Sequence, residues 1–587
     1  MTIENNERKV VAMKNLLTGN EAIARGAWEA GVNVVTAYPG TPSTEITKNA
    51  ACYEEIYAEW SPNEKVALEV GIGASIAGAR VLVAMKHVGV NVAADPLLTF
   101  AYTGVNGGLV LVSADDPGMH SSQNEQDNRY YGKMAKIPIL EPANSQEAKD
   151  YTKLAFEISE KFDTPVILRI TTRVAHSQSL VELSERTNVD LKEYVKNPAK
   201  YIMTPANARN RHVYVEDRLL KLKEYNETNA INKIEWASKK IGIITSGISY
   251  QYIKEVLKDV SIMKIGMSFP LPTDLITDFA SQVEEVYVIE ELEPFIEDSL
   301  KVLGIKVIGK EVFSNIGEIH AETIAEKILD QKPEHLESDD IPVRPPVLCP
   351  GCPHRGVFYV LNKLKVVVTG DIGCYTLGSA PPLSSMDTTI CMGASIGTAL
   401  GMEKARGKEF AQNLVAVIGD STFIHSGITG LIDVVYNKGT TTTLILDNRI
   451  TGMTGHQHNP VSGFTIKGEP TKEVNLELLV KAVGIERVVT IDPFDLKGLE
   501  ETLKSELKID EPSVIICRRP CALIEKKKDV KPLKVNLDEC IGCKMCLKLG
   551  CPGIVKVDDK VRINPTQCNG CGLCATVCPK GAIKGDN

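Results

Sequence analysis

NLVAVIGDSTFIHSGITGLIDVVYNKGTTTTLILDN (413–448) is the stretch that decides the fold. Two short apolar runs, NLVAVIGD and TTTLILDN, flank a segment with helical spacing from about His425 to Tyr436. Continuous apolar runs closed by Gly, Asp and Asn read as strands covered on both faces, and a strand–helix–strand unit of this kind builds a parallel sheet. The pattern continues outward. KVVVTGD upstream and PSVIICRR downstream add strands, so that 348–527 reads as one α/β domain. NVVTAYPG, VLVAMK, GGLVLVSADD and TPVILRI, alternating with helical stretches such as EKVALEVGIGASIAGA and SQEAKDYTKLAFEISEKF, predict a second α/β domain on the same plan over 1–180. Between them, 181–235 is polar with little periodicity and reads as a connection. KIGIITSG, a helix over Tyr250–Leu257 and EEVYVIEE predict an intervening α/β domain at 236–330, and Pro, Asp and Glu at 331–347 predict a linker. LKVNLDEC opens a small α+β domain at 528–587.

Composition narrows the class. With 587 residues, 43% apolar and 24% charged, the chain can bury several ordinary cores. A net charge of −9 without a basic block argues against nucleic acid or an anionic membrane as the main partner. No apolar run approaches a membrane span and Met1–Gly19 does not read as a signal peptide, so a cytoplasmic location is expected. Eight of the fifteen cysteines fall between Cys540 and Cys578, at spacings that suit metal better than disulfides.

Those eight form Cys540-x2-Cys543-x2-Cys546-x4-Cys551-Pro552 and Cys568-x2-Cys571-x2-Cys574-x3-Cys578-Pro579. The second run has the spacing of bacterial ferredoxins that carry two 4Fe–4S clusters, and the first has one more residue before its last cysteine. In that pattern one loop gives three thiolates to a cubane and the other run gives the fourth. Cys540, Cys543, Cys546 and Cys578 are then expected to hold one cluster, and Cys568, Cys571, Cys574 and Cys551 the other. Gly542, Gly570 and Gly572 let the backbone turn closely around the metal. Zinc, often held by separate CxxC pairs, explains two such triplets less well.

Gly419-Asp420-Ser421 and Asp447-Asn448 are 25 residues apart, each at the C-terminal end of a predicted strand. Open α/β sheets bind ligands there, and an Asp and an Asn from neighbouring strands can share a Mg2+ ion with phosphate oxygens. Singly, such residues would only cap turns. Together they resemble the thiamine-diphosphate motif GDG…NN, with Ser421 and Asp447 as departures. That resemblance makes Asp420 and Asn448 side-chain ligands of Mg2+, Ile450 a carbonyl ligand and Gly419 part of the cofactor cradle. Thiamine enzymes also need a carboxylate against the aminopyrimidine ring, supplied by a second α/β domain. In SPNEKVALEVGIGASIAGAR (61–80), Glu64 is the first choice and Glu69 the second, and both also read as surface helix residues.

YPGTPSTEI (38–46), MKHVGVNVAADPL (85–97), CPGCPHR (349–355), GDSTFIHSGITGL (419–431) and DNRITGMTGHQ (447–457) resemble the large subunit of indolepyruvate:ferredoxin oxidoreductases, and the resemblance runs through the whole chain. It implies two thiamine-type domains with a transketolase-C-like domain between them, and a terminal ferredoxin domain. It further implies oxidation of aryl 2-oxo acids such as indolepyruvate and phenylpyruvate with coenzyme A, giving aryl-acetyl-CoA, CO2 and reduced ferredoxin. A smaller beta subunit is the implied partner. The two cofactors fit one task, since thiamine chemistry frees electrons as CO2 leaves and clusters take them singly. Two alternatives stay open: an oxidoreductase for another 2-oxo acid, and a non-catalytic iron–sulfur electron-transfer subunit. The resemblance also puts Thr41 near substrate, and Thr454 and Gln457 on the diphosphate or substrate side, though each reads equally as a loop residue. His87, His120 and Arg129 lie in segments that could face the pocket. Arg129 reads first as a surface arginine and otherwise as the partner of a carboxylate. Cys349, Cys352 and Cys374 are similar to a CxGC pair and later cysteine that hold a third 4Fe–4S cluster in related oxidoreductases. The fourth ligand would be Cys517, or else Cys521, and buried free cysteines are the alternative reading.

Overall fold

The computed structural model describes residues 14–331, 342, 344–525 and 531–585. Residues 1–13, and most of the linker reading at 331–347, lie outside the described residues. The chain divides into two units, Met1–Glu337 and Ser338–Asn587.

The first unit is built on a seven-stranded sheet in the order Met267–Phe269, Ile139–Leu140, Val166–Thr171, Leu109–Asp115, Val81–Lys86, Val34–Ala37, Tyr57–Trp60. All neighbours pair in parallel except Met267–Phe269, which runs antiparallel to Ile139–Leu140. Val81–Lys86, Leu109–Asp115 and Val166–Thr171 are buried along their whole length, as a sheet covered on both faces requires. Helix Glu64–Ile76 covers one face; the Asn63 side chain caps it by accepting from Val66 N at 2.9 Å. A Cβ at Gly71 would stand 2.6 Å from Val83 Cγ2, so this glycine lets helix and sheet approach.

Two features of this unit differ from the sequence expectation. The 236–330 segment does form a sheet, Glu285–Ile289, Ile241–Ser246 and Ser261–Ile265, completed by Lys233–Glu235 from the 181–235 connection, but it also gives Met267–Phe269 to the first sheet. One continuous apolar cluster joins Leu68 and Val83 to Ile244, Phe279 and Val288, so the two sheets share a core. The 181–235 connection contains a 23-residue helix, Pro205–Glu227. Its buried positions are Val215, Arg218, Leu222 and Asn226, at helical spacing, but two of the four are polar. Arg218 donates to Asp163 O and Ala101 O, both at 2.8 Å, and Asn226 Nδ2 donates to Met267 O and Pro270 O, also at 2.8 Å. A stripe held by backbone carbonyls leaves little hydrophobic period to read.

The second unit holds a six-stranded, all-parallel sheet in the order Thr388–Thr389, Val367–Gly370, Leu414–Gly419, Thr442–Asp447, Ser513–Arg518, Arg487–Ile491. The strand order reverses between Val367–Gly370 and Leu414–Gly419, which opens a crevice at their C-terminal ends. The helical segment expected from His425 begins at Asp420, passes through a widened π turn at Phe423–Gly427 and continues as Ile428–Tyr436. After it come two antiparallel strand pairs, Lys534–Val535 with Ile583–Lys584 and Ile554–Val557 with Lys560–Ile563, and the short helices Met545–Leu549 and Leu573–Thr576. Among the described residues, no helix is long and apolar enough to cross a membrane.

Candidate cofactor and electron-transfer sites

Asp420 stands at the switch point of the second sheet, as the first residue after Leu414–Gly419. It is buried, and its Oδ2 has no hydrogen-bond partner. Burial, followed by the nearby charge of Asp447, pushes its carboxyl up to about 8. A buried carboxyl in this position favours a proton until a cation replaces it. Gly419 is fixed by packing: a Cβ there would lie 2.6 Å from the Tyr375 ring, whose hydroxyl donates to Ile372 O at 2.9 Å. Asp447 ends the neighbouring strand with its carboxylate already engaged, accepting from Arg518 Nε at 2.6 Å and facing Arg449 Nε at 3.5 Å. Asn448, next along, accepts from Ile450 N at 3.3 Å and sets its amide 3.4 Å from His354 Nε2. Burial lowers His354 to about 4, which keeps the imidazole neutral. Arg449 has φ +63°, and this left-handed turn separates Asn448 from buried Ile450.

Of the loop residues expected at this site, Thr454 and Gln457 bond to each other: Thr454 Oγ1 donates to Gln457 Oε1 at 2.5 Å and Gln457 Nε2 to Thr454 O at 2.8 Å. They close their own loop. The polar groups that reach the strand ends are Thr451, whose hydroxyl donates to Ser421 Oγ at 2.9 Å, and Asn459, which bonds Asp420 and donates to Thr451 Oγ1 at 3.4 Å. Sequence reasoning missed both, and also Asp371, which ends the strand across the switch point. The Asp371 carboxylate accepts from Gly393 N at 2.9 Å and Ser395 N at 3.2 Å.

None of the fifteen cysteines forms a disulfide. Cys540, Cys543, Cys546 and Cys578 line one hollow of about 350 Å³, and Cys551, Cys568, Cys571 and Cys574 line another of about 430 Å³. Each hollow thus draws three thiols from one run and one from the other. Among the described residues, no three such side chains converge closely enough for a single ion, and each thiol set stands around a volume instead. Pro350, Gly351 and Arg355 also line the larger hollow, so the Cys349–Cys352 loop borders it. Asn569 Nδ2 donates to Pro350 O at 3.1 Å. Cys374 has Cys521 and Cys349 as its charged-state neighbours, and Cys521 has Cys349 and Asp420. Cys517 belongs elsewhere. It is sealed inside strand Ser513–Arg518 among apolar side chains, and burial alone pushes its thiol up to about 12. The expectation of Cys517 beside Cys349, Cys352 and Cys374 is not met; the alternative, Cys521, is the cysteine that lies with Cys349 and Cys374.

In the first unit, Glu64 opens helix Glu64–Ile76 and is 5% exposed, whereas Glu69 is half-exposed and paired with Lys65. The sheet's C-terminal edge also carries Thr41, Lys86, His87 and Asp116. Ser121 links Thr41, Lys86 and Asp116, its hydroxyl 3.3 Å from Thr41 O, with Lys86 Nζ donating to its carbonyl at 2.6 Å and its N–H donating to Asp116 at 2.8 Å. Burial lowers Lys86 to about 8. A lysine closing an otherwise apolar strand was the unread signal here. His120 pairs instead with Glu318 at 3.0 Å, at the surface. Arg129 is no surface residue: it is fully buried, with its guanidinium on Asp127 and Glu290.

Glu291 lies beside that pair. Burial pushes it up to about 7, and its Oε1 has no partner. A carboxyl raised in the fold stabilises it fully below the unfolded value near 4.3, and the stability is lost as pH rises through about 7. Glu291→Gln is therefore expected to exceed wild type by only about 1 kcal/mol at pH 5 and by up to about 3 kcal/mol at pH 8 in urea unfolding. An unchanged difference between the two pH values would overturn this.

Family comparisons agree with the geometry. The model described as pyruvate flavodoxin/ferredoxin oxidoreductase, thiamine diphosphate-binding, matches residues 25–240; the thiamine pyrophosphate enzyme C-terminal TPP-binding domain matches 371–517; and a 4Fe-4S binding domain matches 561–584. The chain is 43% identical to the indolepyruvate oxidoreductase subunit IorA of Archaeoglobus fulgidus and 42% identical to that of Pyrococcus horikoshii, with 97% of both chains covered in each case. The 2-oxoglutarate synthase subunit KorA of Archaeoglobus fulgidus is 25% identical, over 47% of this chain and 87% of that one. With near-complete coverage at this identity, and with the thiamine and 4Fe–4S domains matched in order, the chain belongs to the indolepyruvate oxidoreductase subunit IorA family.

Proposed function

We propose that the chain, paired with a smaller subunit, carries out thiamine-diphosphate-dependent oxidative decarboxylation of aryl 2-oxo acids, with coenzyme A as acyl acceptor and ferredoxin as electron acceptor. The observation that carries this reading is the combination, in one folded unit, of a buried Asp420 at the sheet switch point, with one carboxylate oxygen left without a partner, and two four-thiol hollows, the larger bordered by the Cys349–Cys352 loop. Asp420, Asn448 and the Ile450 carbonyl would hold Mg2+, with Gly419 leaving room at the strand end. Arg518 occupies Asp447, which accounts for the charged residue at this variant motif position. Bound thiamine diphosphate would supply the carbon nucleophile and electron sink for decarboxylation. Glu64 would hold a proton at the aminopyrimidine edge. Cys551, Cys568, Cys571 and Cys574 would hold an inner 4Fe–4S cluster; Cys540, Cys543, Cys546 and Cys578 an outer one; and Cys349, Cys352, Cys374 and Cys521 a third, nearest Asn448.

The deciding experiment is 2-oxo-acid-dependent reduction of ferredoxin or a viologen by the assembled complex. Indolepyruvate, phenylpyruvate, pyruvate and 2-oxoglutarate are compared, with and without thiamine diphosphate and coenzyme A. Turnover on the aryl acids that needs thiamine diphosphate is expected, and thiamine-independent reduction would defeat the proposal. A preference for pyruvate or 2-oxoglutarate would replace the substrate class.

Two further outcomes test the site. Asp420→Asn is expected to weaken the affinity of the complex for magnesium thiamine diphosphate by at least about tenfold to a hundredfold, read by calorimetry, because disturbing even the supports of metal ligands costs that much. Unchanged affinity would remove Asp420 from the site. Iron analysis should give about twelve irons per chain, four per cluster. Cys521→Ser should reduce this to about eight and Cys517→Ser should leave it intact. About eight irons in the wild type would exclude the third cluster.

A further inference from the structure

Cys352 lies three residues before a buried arginine whose side chain reaches both the Cys349 backbone and the terminal domain. Arg355 is the second residue of the helix His354–Leu364 and is 2% exposed. Its Nη1 donates to Leu549 O at 2.7 Å, and its Nη2 donates to Leu348 O at 2.5 Å and to Cys349 O at 3.0 Å. The guanidinium therefore joins the two cysteine-bearing segments through their backbones. It also borders the hollow formed by Cys551, Cys568, Cys571 and Cys574, and it is the charged residue among those lining that hollow besides the cysteines themselves. The smaller hollow differs in being lined by Glu539, Lys544 and Lys580. The buried Nε–H of Arg355 has no acceptor among the described residues. Cys551, Cys352, Cys571 and Cys349 are the thiols that act on the guanidinium electrostatically.

We propose that Arg355 is a positioning residue that raises the reduction potential of the inner cluster, through its fixed charge and a hydrogen bond from Nε to a cluster or cysteine sulfur. The inference rests on the proposal that these four thiols hold a 4Fe–4S cluster. Each reduction adds one electron and no proton to a group that already carries four thiolates. A fixed cation in a dry setting favours the more negative state, and hydrogen bonds to sulfur act in the same direction. The inner cluster thereby becomes the sink toward which electrons run from the thiamine side. The same side chain also holds the Cys349–Cys352 loop against the hollow, so that the first transfer and the acceptor's potential are set by one group.

The test is an EPR-monitored redox titration of the iron-loaded complex. Arg355→Gln is expected to lower the equilibrium constant for reducing the inner cluster at least about tenfold, a shift of about 59 mV to more negative potential for a one-electron couple. Asn569→Ala, which removes the other contact to this loop, is expected to leave the potential in place. Iron content and cluster spectra of the wild type are read first. Their absence would defeat the cluster assignment itself, whereas intact clusters with an unshifted potential in Arg355→Gln would defeat only the role of Arg355. An equal shift in Asn569→Ala would also overturn it, by tracing the effect to undocking. If Arg355→Gln loses iron, Arg355→Lys decides: retained iron with a potential near wild type supports the fixed charge, and iron loss or an unchanged low potential overturns it.

Discussion

Glu64→Gln is expected to lower turnover on 2-oxo acid by about a hundredfold to ten-thousandfold, the usual worth of a positioned proton-transfer group. Glu69→Gln is expected to leave turnover near wild type. Two elements hold Glu64 in place. Asn63 caps its helix, with the Asn63 side chain 2.9 Å from Val66 N, and Gly89 of the helix His87–Val92 lies against the carboxyl. A Cβ at Gly89 would come within 2.8 Å of Glu64 Oε1, so that position must stay a glycine for the carboxyl to keep its place. Glu69 is on the same helix but half-exposed, where Lys65 pairs with it. The Gln side chain keeps the shape of Glu64 and removes its ability to carry a proton. Turnover should thus fall while the affinity for thiamine diphosphate changes little, and deuterium exchange at C2 of the bound cofactor should slow in step. Equal losses from Glu64→Gln and Glu69→Gln, or exchange at the wild-type rate in Glu64→Gln, would remove Glu64 from this role.

The sheets were legible because their strands are continuous apolar runs, and the carboxylate at the end of such a run can only point at the crevice. That is why the positions of Asp420 and Asn448 at neighbouring strand ends could be read from spacing. The helix Pro205–Glu227 was not legible, since Arg218 and Asn226 occupy half of its buried stripe and bond to carbonyls far along the chain. The middle segment read as a separate domain because nothing local marks Met267–Phe269 as the edge strand of a sheet whose other members lie before residue 172. Asp447 looked like a defect in the motif. Its reason, Arg518, lies 71 residues away on a neighbouring strand. Cys517 and Cys521 differ by four positions, and only the strand boundary separates them. A signal was present: Pro520 cannot continue a central strand, so the cysteine before it is held in the sheet and the one after it leaves. Arg129 was misread for the same physical reason as Asp447, because its partner Glu290 is 161 residues distant.

Arg129→Met is expected to destabilise the chain by about 3–5 kcal/mol, the cost of leaving buried charges unpaired. Its Nε donates to Asp127 Oδ1 at 2.9 Å, Nη2 to Asp127 Oδ2 at 2.5 Å and Nη1 to Glu290 Oε2 at 2.5 Å. Nη2 also reaches Glu291 O and Glu293 O, both at 3.1 Å. Nη1 and Nη2 thus tie the first sheet's loop to the segment that follows Glu285–Ile289. Glu290 in turn accepts from Ile296 N at 3.0 Å and Glu297 N at 3.0 Å, which fixes the start of helix Phe295–Val302. Burial raises the Glu290 carboxyl and the Arg129 charge does most to lower it again, so without the arginine this carboxyl must take up a proton or carry an unpaired charge. Arg169 does not replace it: its Nη2 stands 3.8 Å from Asp127, and its Nε and Nη1 are bonded to Asp115 at 2.7 Å and Glu141 at 2.6 Å rather than to Glu290. Neutralising the partners as well, in Arg129→Met with Asp127→Asn and Glu290→Gln, should recover a large part of the loss, because it removes the stranded charges. Urea unfolding of the three forms measures both steps. A single variant within about 1 kcal/mol of wild type would mean that the guanidinium is not what joins the two sheets. An arginine that instead gripped the substrate carboxylate would show the opposite pattern, a raised KM with unfolding unchanged.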